Sequence, residues 1–352
     1  MSHRLTIEPT GEQVDVAERQ TILDACLRAG VWLPHACGHG LCGTCKVDVI
    51  DGEVDHGDAS PFALMDMERA EGKALACTAT MESDVTIEAD IDAEPDARVI
   101  PVRDFSGTIA RLEDAARDVK RLVIEVDGAG IDFQAGQHVA LTVPGVAGAR
   151  PFSLASAPSQ PNRIELQVRL VPGGAATTAI HRDLRPGQRL SFAGPYGRFF
   201  VRKSAGGPLL FLAGGTGVSS PKAMVLDLLE GGWADPITLI HGVRQQADLY
   251  DRDLFEDLAA RHRNLRYVPA LSQEPEGSDW PGARGFVHEV AARLHDGMFA
   301  GQTAYLCGPP PMIEACIRTL MQGRLFEKHI FTERFLTAQD GAERRSPVFK
   351  RL

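Results

Sequence analysis

The chain lacks three features that would assign it to common protein classes. None of its apolar runs approaches the length that spans a lipid bilayer, so membrane insertion is not expected. Its first residues lack the apolar segment of a secretion signal, which predicts a cytoplasmic protein. Basic residues form no stripe and the net charge is −10, so nucleic-acid binding is not expected either.

Two familiar ligand-binding signatures are missing as well. The chain does not contain two close C-x2-C pairs, which is the usual arrangement of structural zinc sites. Its glycine turn at Gly214–Gly217 lacks the G-x-G-x-x-G spacing of the common dinucleotide fingerprint. Any metal or nucleotide site must therefore be built from other patterns.

One such pattern is a cysteine loop near the N-terminus. Cys37, Cys42 and Cys45 follow the spacing C-x4-C-x2-C, and Cys77 comes after a long gap. This is the spacing of plant-type [2Fe–2S] clusters, in which four thiolates hold two irons. Glycines between the cysteines allow the backbone to turn its N–H groups towards the sulfurs. The loop therefore predicts a cluster that is ligated by these four cysteines.

Other interpretations of the cysteines are a zinc site, disulfides or buried free thiols. The spacing disfavours zinc, and disulfides are rare in chains without a secretion signal. His39 lies inside the loop and could ligate iron as in Rieske centres, but four cysteines already complete the ligand set. The helical pattern around Cys26 predicts a small core residue. Cys307 and Cys316 cannot be assigned to the loop from the sequence.

Charge is distributed unevenly along the chain. Residues 1–95 contain 19 acidic and 6 basic residues, whereas the remainder is slightly basic. An acidic segment that carries a redox centre favours electrostatic steering to a partner with a basic patch. The same charge is equally consistent with a simple contribution to solubility.

The element patterns divide the chain into several domains, as its length requires. Short strands and one helix accompany the cysteine loop, strands separated by turns follow, and buried strands then alternate with helices. We predict a multidomain α+β and α/β fold with these parts: a β-grasp ferredoxin domain at 1–91, a linker at 92–101, an antiparallel β-barrel at 102–203, a parallel α/β domain at 204–330 and a C-terminal tail at 331–352.

The barrel segment contains two elements that suit a flavin with phosphates. In the stretch Arg150–Ser153, a guanidinium can pair with a phosphate, a phenyl ring offers a flat face and a hydroxyl adds a donor. Downstream, a Gly-Gly pair opens a helix, and helix N-termini bind pyrophosphate through free N–H groups. The predicted flavin-binding residues are Arg150, Phe152, Ser153, Gly173, Gly174 and Thr177.

The α/β segment carries two candidate nucleotide-binding stretches, each at the carboxyl end of a strand. Gly214-Gly215-Thr216-Gly217 lies between a buried strand and a helix, where a phosphate can approach the helix N-terminus. Cys307-Gly308-Pro309 follows a later strand and can form the floor of a nicotinamide pocket. The simpler alternatives are a tight turn for the glycines and a packing role for Cys307.

These signatures, in this order, resemble the ferredoxin–NADP reductase superfamily in the variant with an N-terminal plant-type ferredoxin domain. Arg150–Ser153 looks like its flavin motif R-x-[YF]-S, with Phe152 in place of the more usual tyrosine. Gly214–Gly217 and Cys307–Pro309 look like its pyridine-nucleotide turn and its C-G-P motif. The resemblance spans essentially the whole chain and implies that the barrel binds FAD and the α/β domain binds NAD.

Several stretches are similar to the reductases of bacterial multicomponent phenol hydroxylases, namely 60–65, 194–201, 267–272, 305–325 and 333–337. This resemblance implies that electrons pass from NADH through FAD and a [2Fe–2S] cluster to a diiron oxygenase component. It also implies that Phe335 covers the flavin. NADPH stays open as the donor because Arg244 could meet a 2′-phosphate.

Electron transfer of this kind depends on the position and tuning of the carriers, so no acid–base residues are predicted. A second enzyme hypothesis is the reductase of another multicomponent oxygenase that acts on toluene, methane or aromatic rings. A hypothesis of a different class is a cluster-bearing redox sensor without turnover. Such a sensor would need neither the glycine turn nor the C-G-P stretch.

Overall fold

The computed structural model describes residues 2–91 and 94–335. Part of the predicted linker, residues 92–93, and most of the predicted tail, residues 336–352, lie outside the described residues. The chain divides into two compact units, Met1–Arg103 and Asp104–Leu352, and each is treated separately. No helix within the described ranges is both long and apolar enough to cross a membrane.

The first unit is a small mixed sheet with a helix packed against it. Its elements are β1 Ser2–Glu8, β2 Glu12–Ala17, α1 Ile22–Ala29, β3 Lys46–Asp51, β4 Val54–Asp55, α2 Asp66–Ala70, β5 Lys73–Leu75, β6 Thr80–Met81 and β7 Val85–Glu88. The main sheet has the order β2-β1-β7-β3-β5, and β4 pairs with β6. Strands β1 and β7 are parallel, whereas the β1–β2, β3–β7 and β3–β5 pairs are antiparallel.

Helix α1 begins and ends at residues with strong local capping preferences. Thr21 is the N-cap, and its hydroxyl accepts a hydrogen bond from the backbone N–H of Asp24. Gly30 ends the helix in the left-handed conformation, at φ 80°. The apolar face of α1, including Ile22 and Cys26, is fully buried. Cys26 is therefore the small core residue that the pattern predicts.

The second unit begins with an antiparallel barrel. Its elements are β8 Arg103–Ala116, β9 Val119–Val126, β10 His138–Thr142, β11 Arg150–Ser153, β12 Arg163–Arg169, α3 Ala175–Arg182 and β13 Arg189–Tyr196. The sheet has the order β11-β10-β13-β8-β9-β12. An antiparallel bridge between Leu154 and Leu166 joins its two edges. This bridge closes the sheet into a barrel around a core of aliphatic and phenyl side chains.

The second unit continues as a parallel α/β domain. Its elements are β14 Leu209–Gly214, α4 Ser219–Glu230, β15 Ile237–Val243, α5 Arg252–Arg261, β16 Leu265–Leu271, β17 Ala283–Arg284, α6 Val287–Leu294, β18 Thr303–Gly308, α7 Pro310–Gln322 and β19 Ile330–Arg334. The sheet has the order β17-β16-β15-β14-β18-β19, and its strand pairs are parallel.

Side chains of β14 alternate between two hydrophobic cores. Phe211 belongs to the core that α4 and α5 cover, and Leu212 belongs to the core that α6 and α7 cover. A sheet that is buried on both faces explains why this strand reads as a continuous apolar run. These architectures confirm the predicted fold class.

Strand β19 corrects the predicted tail. The prediction assigns residues 331–334 to the C-terminal tail, yet every residue of β19, Ile330–Arg334, pairs with β18. Phe331 packs against the core beneath β14, which supplies the driving force for this last strand. A single apolar side chain in a polar segment is a weak signal in sequence, and the pairing that exposes its role is tertiary.

Replacement of Leu212 by alanine tests the double-sided burial of the α/β sheet. Leu212 is fully buried, so Leu212→Ala should destabilise the unit by about 2–5 kcal/mol because it leaves a cavity. Thermal and urea unfolding followed by circular dichroism would measure the loss. Met321→Ala, at a 44% exposed position of α7, is the matched control and should change stability little. Equal losses for both variants would contradict the two-core arrangement.

Candidate functional site

The cysteine loop connects α1 to β3, and Cys77 approaches it from the segment after β5. Cys45 and Cys77 are buried, whereas Cys37 and Cys42 are partly exposed at the outer side of the loop. All seven cysteines of the chain are free thiols, so the disulfide interpretation is not supported. Cys307 and Cys316 belong to the second unit and lie in its α/β domain, as part of β18 and α7.

The four loop sulfurs are arranged as two pairs. Cys37 lies beside Cys42, and Cys45 lies beside Cys77. The hydrogen bond from Cys42, with backbone N–H donors, lowers the pKa of Cys37 to about 5. Within residues 2–91 and 94–335, no three His, Cys, Asp or Glu side chains converge on a single ion. Two pairs of cysteine sulfurs would suit two irons better than one zinc ion.

Backbone N–H groups of the loop point at the sulfurs. The N–H of Gly40 lies 3.2 Å from Cys77 Sγ, and that of His39 lies 3.4 Å from Cys37 Sγ. Gly40 has φ 72°, and a Cβ there would lie 2.8 Å from Thr78 Cγ2. A side chain at this position would therefore be strained and would disturb the donor. The His39 residue is exposed and contributes a backbone donor to the loop.

The predicted flavin strand is β11, an edge strand of the barrel. Arg150 is exposed at its start, and Phe152 is half-buried against the barrel core opposite Val139. Ser153 is buried at its end, where the chain leaves the sheet. The strand thus presents a cation, a ring and a hydroxyl in succession, which is the order that the sequence indicates.

The second predicted flavin element is the start of α3. Gly173 has φ 74°, and Gly174 is the N-cap, which has no side chain to occupy the first turn. The Thr177 hydroxyl lies 3.1 Å from the backbone N of Val171 and 3.2 Å from the carbonyl of Gly174. Thr177 therefore shapes the turn through backbone contacts. An uncapped helix start of this kind is suited to an anion.

The predicted nucleotide turn joins β14 to α4 through a single 3₁₀ turn, Gly215–Val218. It packs directly on the end of β18, because a Cβ at Gly217 would lie 2.2 Å from the Cys307 carbonyl oxygen. Gly214 is similarly close to Met312 of α7. Glycine at these two positions is what allows the turn and the C-G-P stretch to meet.

A partly buried carboxyl group that the sequence did not reveal, that of Glu333, lies between the flavin strand and the C-G-P stretch. Glu333 Oε2 is 2.6 Å from Ser220 Oγ and 3.4 Å from both Ser153 Oγ and Cys307 Sγ. Burial raises the pKa of Glu333 above its usual value, although these three donors oppose the shift. The site therefore contains a carboxyl group that tends to hold a proton.

Three further predicted residues, Phe335, Pro309 and Arg244, lie at the margin of this site. The backbone N–H of Phe335 bonds to the Gly308 carbonyl at 3.0 Å, so its chain segment runs beside the C-G-P stretch. Pro309 is the N-cap of α7. Arg244 follows β15, is half exposed, and forms ion pairs with Asp118 at 3.5 Å and with Asp248 at 3.6 Å.

Sequence reasoning missed Glu333 for a physical reason. An acidic residue in a polar C-terminal segment normally faces solvent, and nothing in its neighbourhood marks it as buried. It is partly buried because β19 lies beside β18, where Glu333 is in register with Cys307. The one signal in the sequence is the stretch 333–337, which is similar to phenol hydroxylase reductases but does not indicate burial of Glu333.

Several known proteins are similar to the chain over its full length. The reductase component DmpP of phenol 2-monooxygenase from Pseudomonas sp. (strain CF600) is 57% identical, and the phenol hydroxylase P5 protein of Acinetobacter pittii is 51% identical; both alignments cover 100% of each chain. The crystal structure of the reductase GcoB from Amycolatopsis superposes with a TM-score of 0.87 at 36% identity, covering 95% of this chain and 98% of the other.

Three family models match successive parts of the chain. They are a 2Fe-2S iron-sulfur cluster binding domain at residues 5–82, an oxidoreductase FAD-binding domain at 106–201 and an oxidoreductase NAD-binding domain at 211–318. Such a combination defines an iron–sulfur flavoprotein that oxidises a pyridine nucleotide. The chain belongs to the family of reductase components of multicomponent oxygenases.

Membership confirms the predicted cofactors and the general activity. The protein uses NADH, FAD and a [2Fe–2S] cluster to supply electrons to an oxygenase component. The resemblance to phenol hydroxylase reductases, inferred from local stretches, is confirmed at full length. The redox sensor without turnover is not supported, because both nucleotide-binding domains are present.

Replacement of Glu333 by glutamine tests its protonation. A raised pKa means that folded Glu333 keeps a proton which the unfolded chain releases, so stability contributed by this group falls as pH rises above about 4.5. Glu333→Gln should remove that loss. The difference in melting temperature between variant and wild type should therefore increase from pH 5 to pH 8. A difference that does not change with pH would mean that Glu333 has an ordinary pKa.

Proposed function

We propose that the oxygenase partner of this reductase is the diiron hydroxylase component of a phenol hydroxylase, and that the two meet in the cytoplasm. The observation that carries the proposal is full-length identity of 57% and 51% to two phenol hydroxylase reductases. Both alignments cover the first unit, which carries the proposed cluster, as well as the second unit. A relative at 38% identity, by contrast, is an aromatic O-demethylase reductase subunit.

The fold alone does not select the partner. A ferredoxin reductase of carbazole 1,9a-dioxygenase shares the fold with a TM-score of 0.79 at 24% identity. Propane 2-monooxygenase reductases are similar along 95% of the chain at about one third identity. The same three domains thus occur beside several oxygenases, and only the closer identity favours phenol hydroxylase.

The cluster is assigned to the cysteine loop of the first unit. In this proposal Cys37 and Cys42 hold one iron and Cys45 and Cys77 hold the other, as their pairing suggests. The Gly40 and His39 N–H groups would bond to the ligating sulfurs and help to set the reduction potential. Partial exposure of Cys37 and Cys42 supports the transfer of an electron to the partner from this side of the loop.

The flavin is assigned to the barrel. The positively charged Arg150 and the start of α3 would hold the phosphates, and Phe152 would lie against the ring. When bound, FAD accepts a hydride and passes the electrons on singly, which suits a two-electron donor and a one-electron cluster. The proposed flavin-binding residues are Arg150, Phe152, Ser153, Gly173, Gly174, Thr177 and Phe335.

The nicotinamide nucleotide is assigned to the carboxyl edge of the α/β sheet. The proposed residues are Gly214, Gly215, Thr216, Gly217, Arg244, Cys307, Gly308 and Pro309. Two carboxylates already pair with Arg244, which reduces its attraction for a 2′-phosphate. This pairing supports NADH as the donor. Glu333 would hold the Ser153 hydroxyl and the Cys307 thiol in place beside the reacting ring.

An anaerobic NADH titration followed by absorbance and electron paramagnetic resonance tests the carriers. We expect flavin bleaching together with the rhombic signal of a reduced [2Fe–2S] centre. Addition of a purified phenol hydroxylase component, phenol and oxygen should then give NADH-dependent catechol formation. Catechol formation no faster than with a propane or toluene oxygenase component would contradict the proposed partner while leaving the reductase activity intact.

Replacement of Cys42 by serine tests the modular assignment of the cluster. Cys42→Ser should abolish the iron signal and the reduction of the oxygenase, because a ligand is lost. Reduction of FAD by NADH should continue, since the flavin and nucleotide residues lie in the other unit. Iron analysis, flavin content and stopped-flow absorbance measure these quantities. Cys316→Ala, at a cysteine in α7, is the control and should retain iron. Loss of flavin reduction in Cys42→Ser would refute independent sites.

Salt dependence tests electrostatic docking of the acidic first unit. Residues 1–95 carry 19 acidic and 6 basic side chains, so attraction to a basic patch should weaken when the Debye length falls below about 10 Å. The second-order rate of oxygenase reduction should fall steadily as NaCl rises from about 0.05 to 0.5 M. Flavin reduction by NADH, measured in parallel, corrects for any effect on the first step. An unchanged rate of oxygenase reduction would leave solubility as the role of this charge.

A further inference from the structure

A buried cluster of charges joins the barrel to the α/β domain within the second unit. We call it the Asp251 cluster, and its members are Asp251, Lys222, Arg121, Glu165 and Gln167. The side chains of Asp251 and Lys222 are 2% and 5% exposed. Arg121 comes from β9, Glu165 and Gln167 come from β12, and Lys222 comes from the first turns of α4.

Asp251 is the centre of this cluster. Its Oδ2 accepts hydrogen bonds from Lys222 Nζ at 2.8 Å and from Gln167 Nε2 at 2.6 Å, and its Oδ1 pairs with Arg121. Burial opposes the ionised form, but Lys222 and Arg121 outweigh it, so the pKa of Asp251 lies below its usual value. One carboxylate therefore links two barrel strands, β9 and β12, to α4, the helix that follows the nucleotide turn. We call α4 the nucleotide helix.

A second connection runs from β12 to the nucleotide turn. Ser219 Oγ, at the first residue of α4, lies 2.9 Å from Gln167 Oε1 and 2.8 Å from the Thr216 carbonyl. Lys222 also reaches Glu165 Oε1 at 2.8 Å. Strand β12 thus contacts the start of α4 through two different side chains.

The same strand is attached to the flavin motif on its other side. The Ala155 N–H bonds to the Glu165 carbonyl at 2.8 Å, and Leu154 bridges to Leu166. These two residues directly follow Ser153. Hence only a few residues of β12 connect the flavin strand with the nucleotide helix.

Tyr250, the residue before Asp251, contacts the nucleotide turn from its buried side. Tyr250 Oη donates to the Gly215 carbonyl at 3.1 Å, and His241 Nε2 lies 3.2 Å from the same oxygen. Burial lowers the pKa of His241 to about 4, so its ring is neutral at physiological pH. Both side chains are buried beneath the turn. The dipeptide Tyr250–Asp251 therefore contacts the turn with one residue and the barrel with the next.

The backbone at this dipeptide supports a specific role. Asp251 has φ 55°, a left-handed conformation that aspartate and asparagine tolerate better than most residues. Buried ion pairs seldom add net stability, because desolvation offsets their attraction. The cluster is therefore better explained by a role in fixing the relative position of the two domains than by a gain in stability. Hydride transfer requires such precision, since the reacting atoms must lie about 3–3.5 Å apart.

We propose that Asp251 and Tyr250 are positioning residues that fix the nucleotide turn relative to the flavin strand. Asp251 acts through Lys222 and Gln167, and Tyr250 acts through the Gly215 carbonyl. The inference rests on the proposed assignment of NADH to this turn. It predicts that disturbance of the cluster slows hydride transfer even when both cofactors bind. Neither residue is required to touch a cofactor.

The central test is Asp251→Asn, which keeps a side chain tolerant of φ 55° and removes the charge. In the FAD-loaded protein, the limiting rate of flavin reduction at saturating NADH should fall at least about tenfold. The NADH dissociation constant and FAD content should stay within about twofold of the wild-type values, since the binding residues are unchanged. Hydrogen exchange should become faster at residues 214–218, a readout that is independent of turnover.

Two further variants keep the test decisive if Asp251→Asn folds poorly. Tyr250→Phe removes only the hydroxyl at the Gly215 carbonyl and should reduce the limiting rate without loss of FAD. Lys222→Met should match the defect of Asp251→Asn, and the double variant should be no slower than either single one, because both disturb one interaction. Independent defects would instead multiply. The control is Glu256→Gln, which breaks the exposed Arg252–Glu256 pair on the adjacent helix and should leave the rate unchanged.

The outcomes separate this inference from the proposed function. If NADH does not reduce the flavin of the wild type, the proposed nucleotide site fails. If the wild type is reduced and Asp251→Asn and Tyr250→Phe stay within about twofold of its limiting rate, the positioning role is refuted and the cluster is only structural. A lower melting temperature with an unchanged rate would be the signature of that structural role.

Discussion

Three parallel strands that end in register bring the residues of the proposed nucleotide site to one edge of the sheet. Ala213 of β14 is opposite Cys307 of β18, and Cys307 is opposite Glu333 of β19. The carboxyl ends of parallel strands meet at one edge of a sheet, so the glycine turn, the C-G-P stretch and the carboxylate share that edge. The flavin strand of the barrel reaches it through the contact between Ser153 and Glu333.

Low exposure at this edge strengthens every polar interaction there. Glu333 is partly buried with three donors around one oxygen, and the nearby Asp251 cluster buries charges of both signs. In a low-dielectric setting such groups are costly unless they are satisfied, so their arrangement is specific. The polar contacts between barrel and α/β domain therefore provide orientation, while the apolar cores of each domain provide most of the stability.

The cysteine loop differs, because three of the residues proposed to hold iron lie close together in the sequence. Three of the four cysteines lie within nine residues, and the glycines between them take positive φ values as the spacing indicates. Local sequence was sufficient here, since the geometry is encoded over a short stretch. The same holds for α1, whose cap at Thr21 and stop at Gly30 are local hydrogen-bonding and steric effects. Family resemblance supplied FAD, NADH and the type of partner, which spacing could not.

Alternation of apolar residues, turn glycines and the cysteine spacing established the fold class and the order of the sites, because these signals act over a few residues. Folding alone brought Glu333 to Cys307, paired β19 with β18 and joined Asp251 to the barrel. Each of these contacts links residues that are distant or polar in the sequence, where the same side chain would ordinarily face water. Their burial is a property of sheet register and domain packing, and neither can be read from a local pattern.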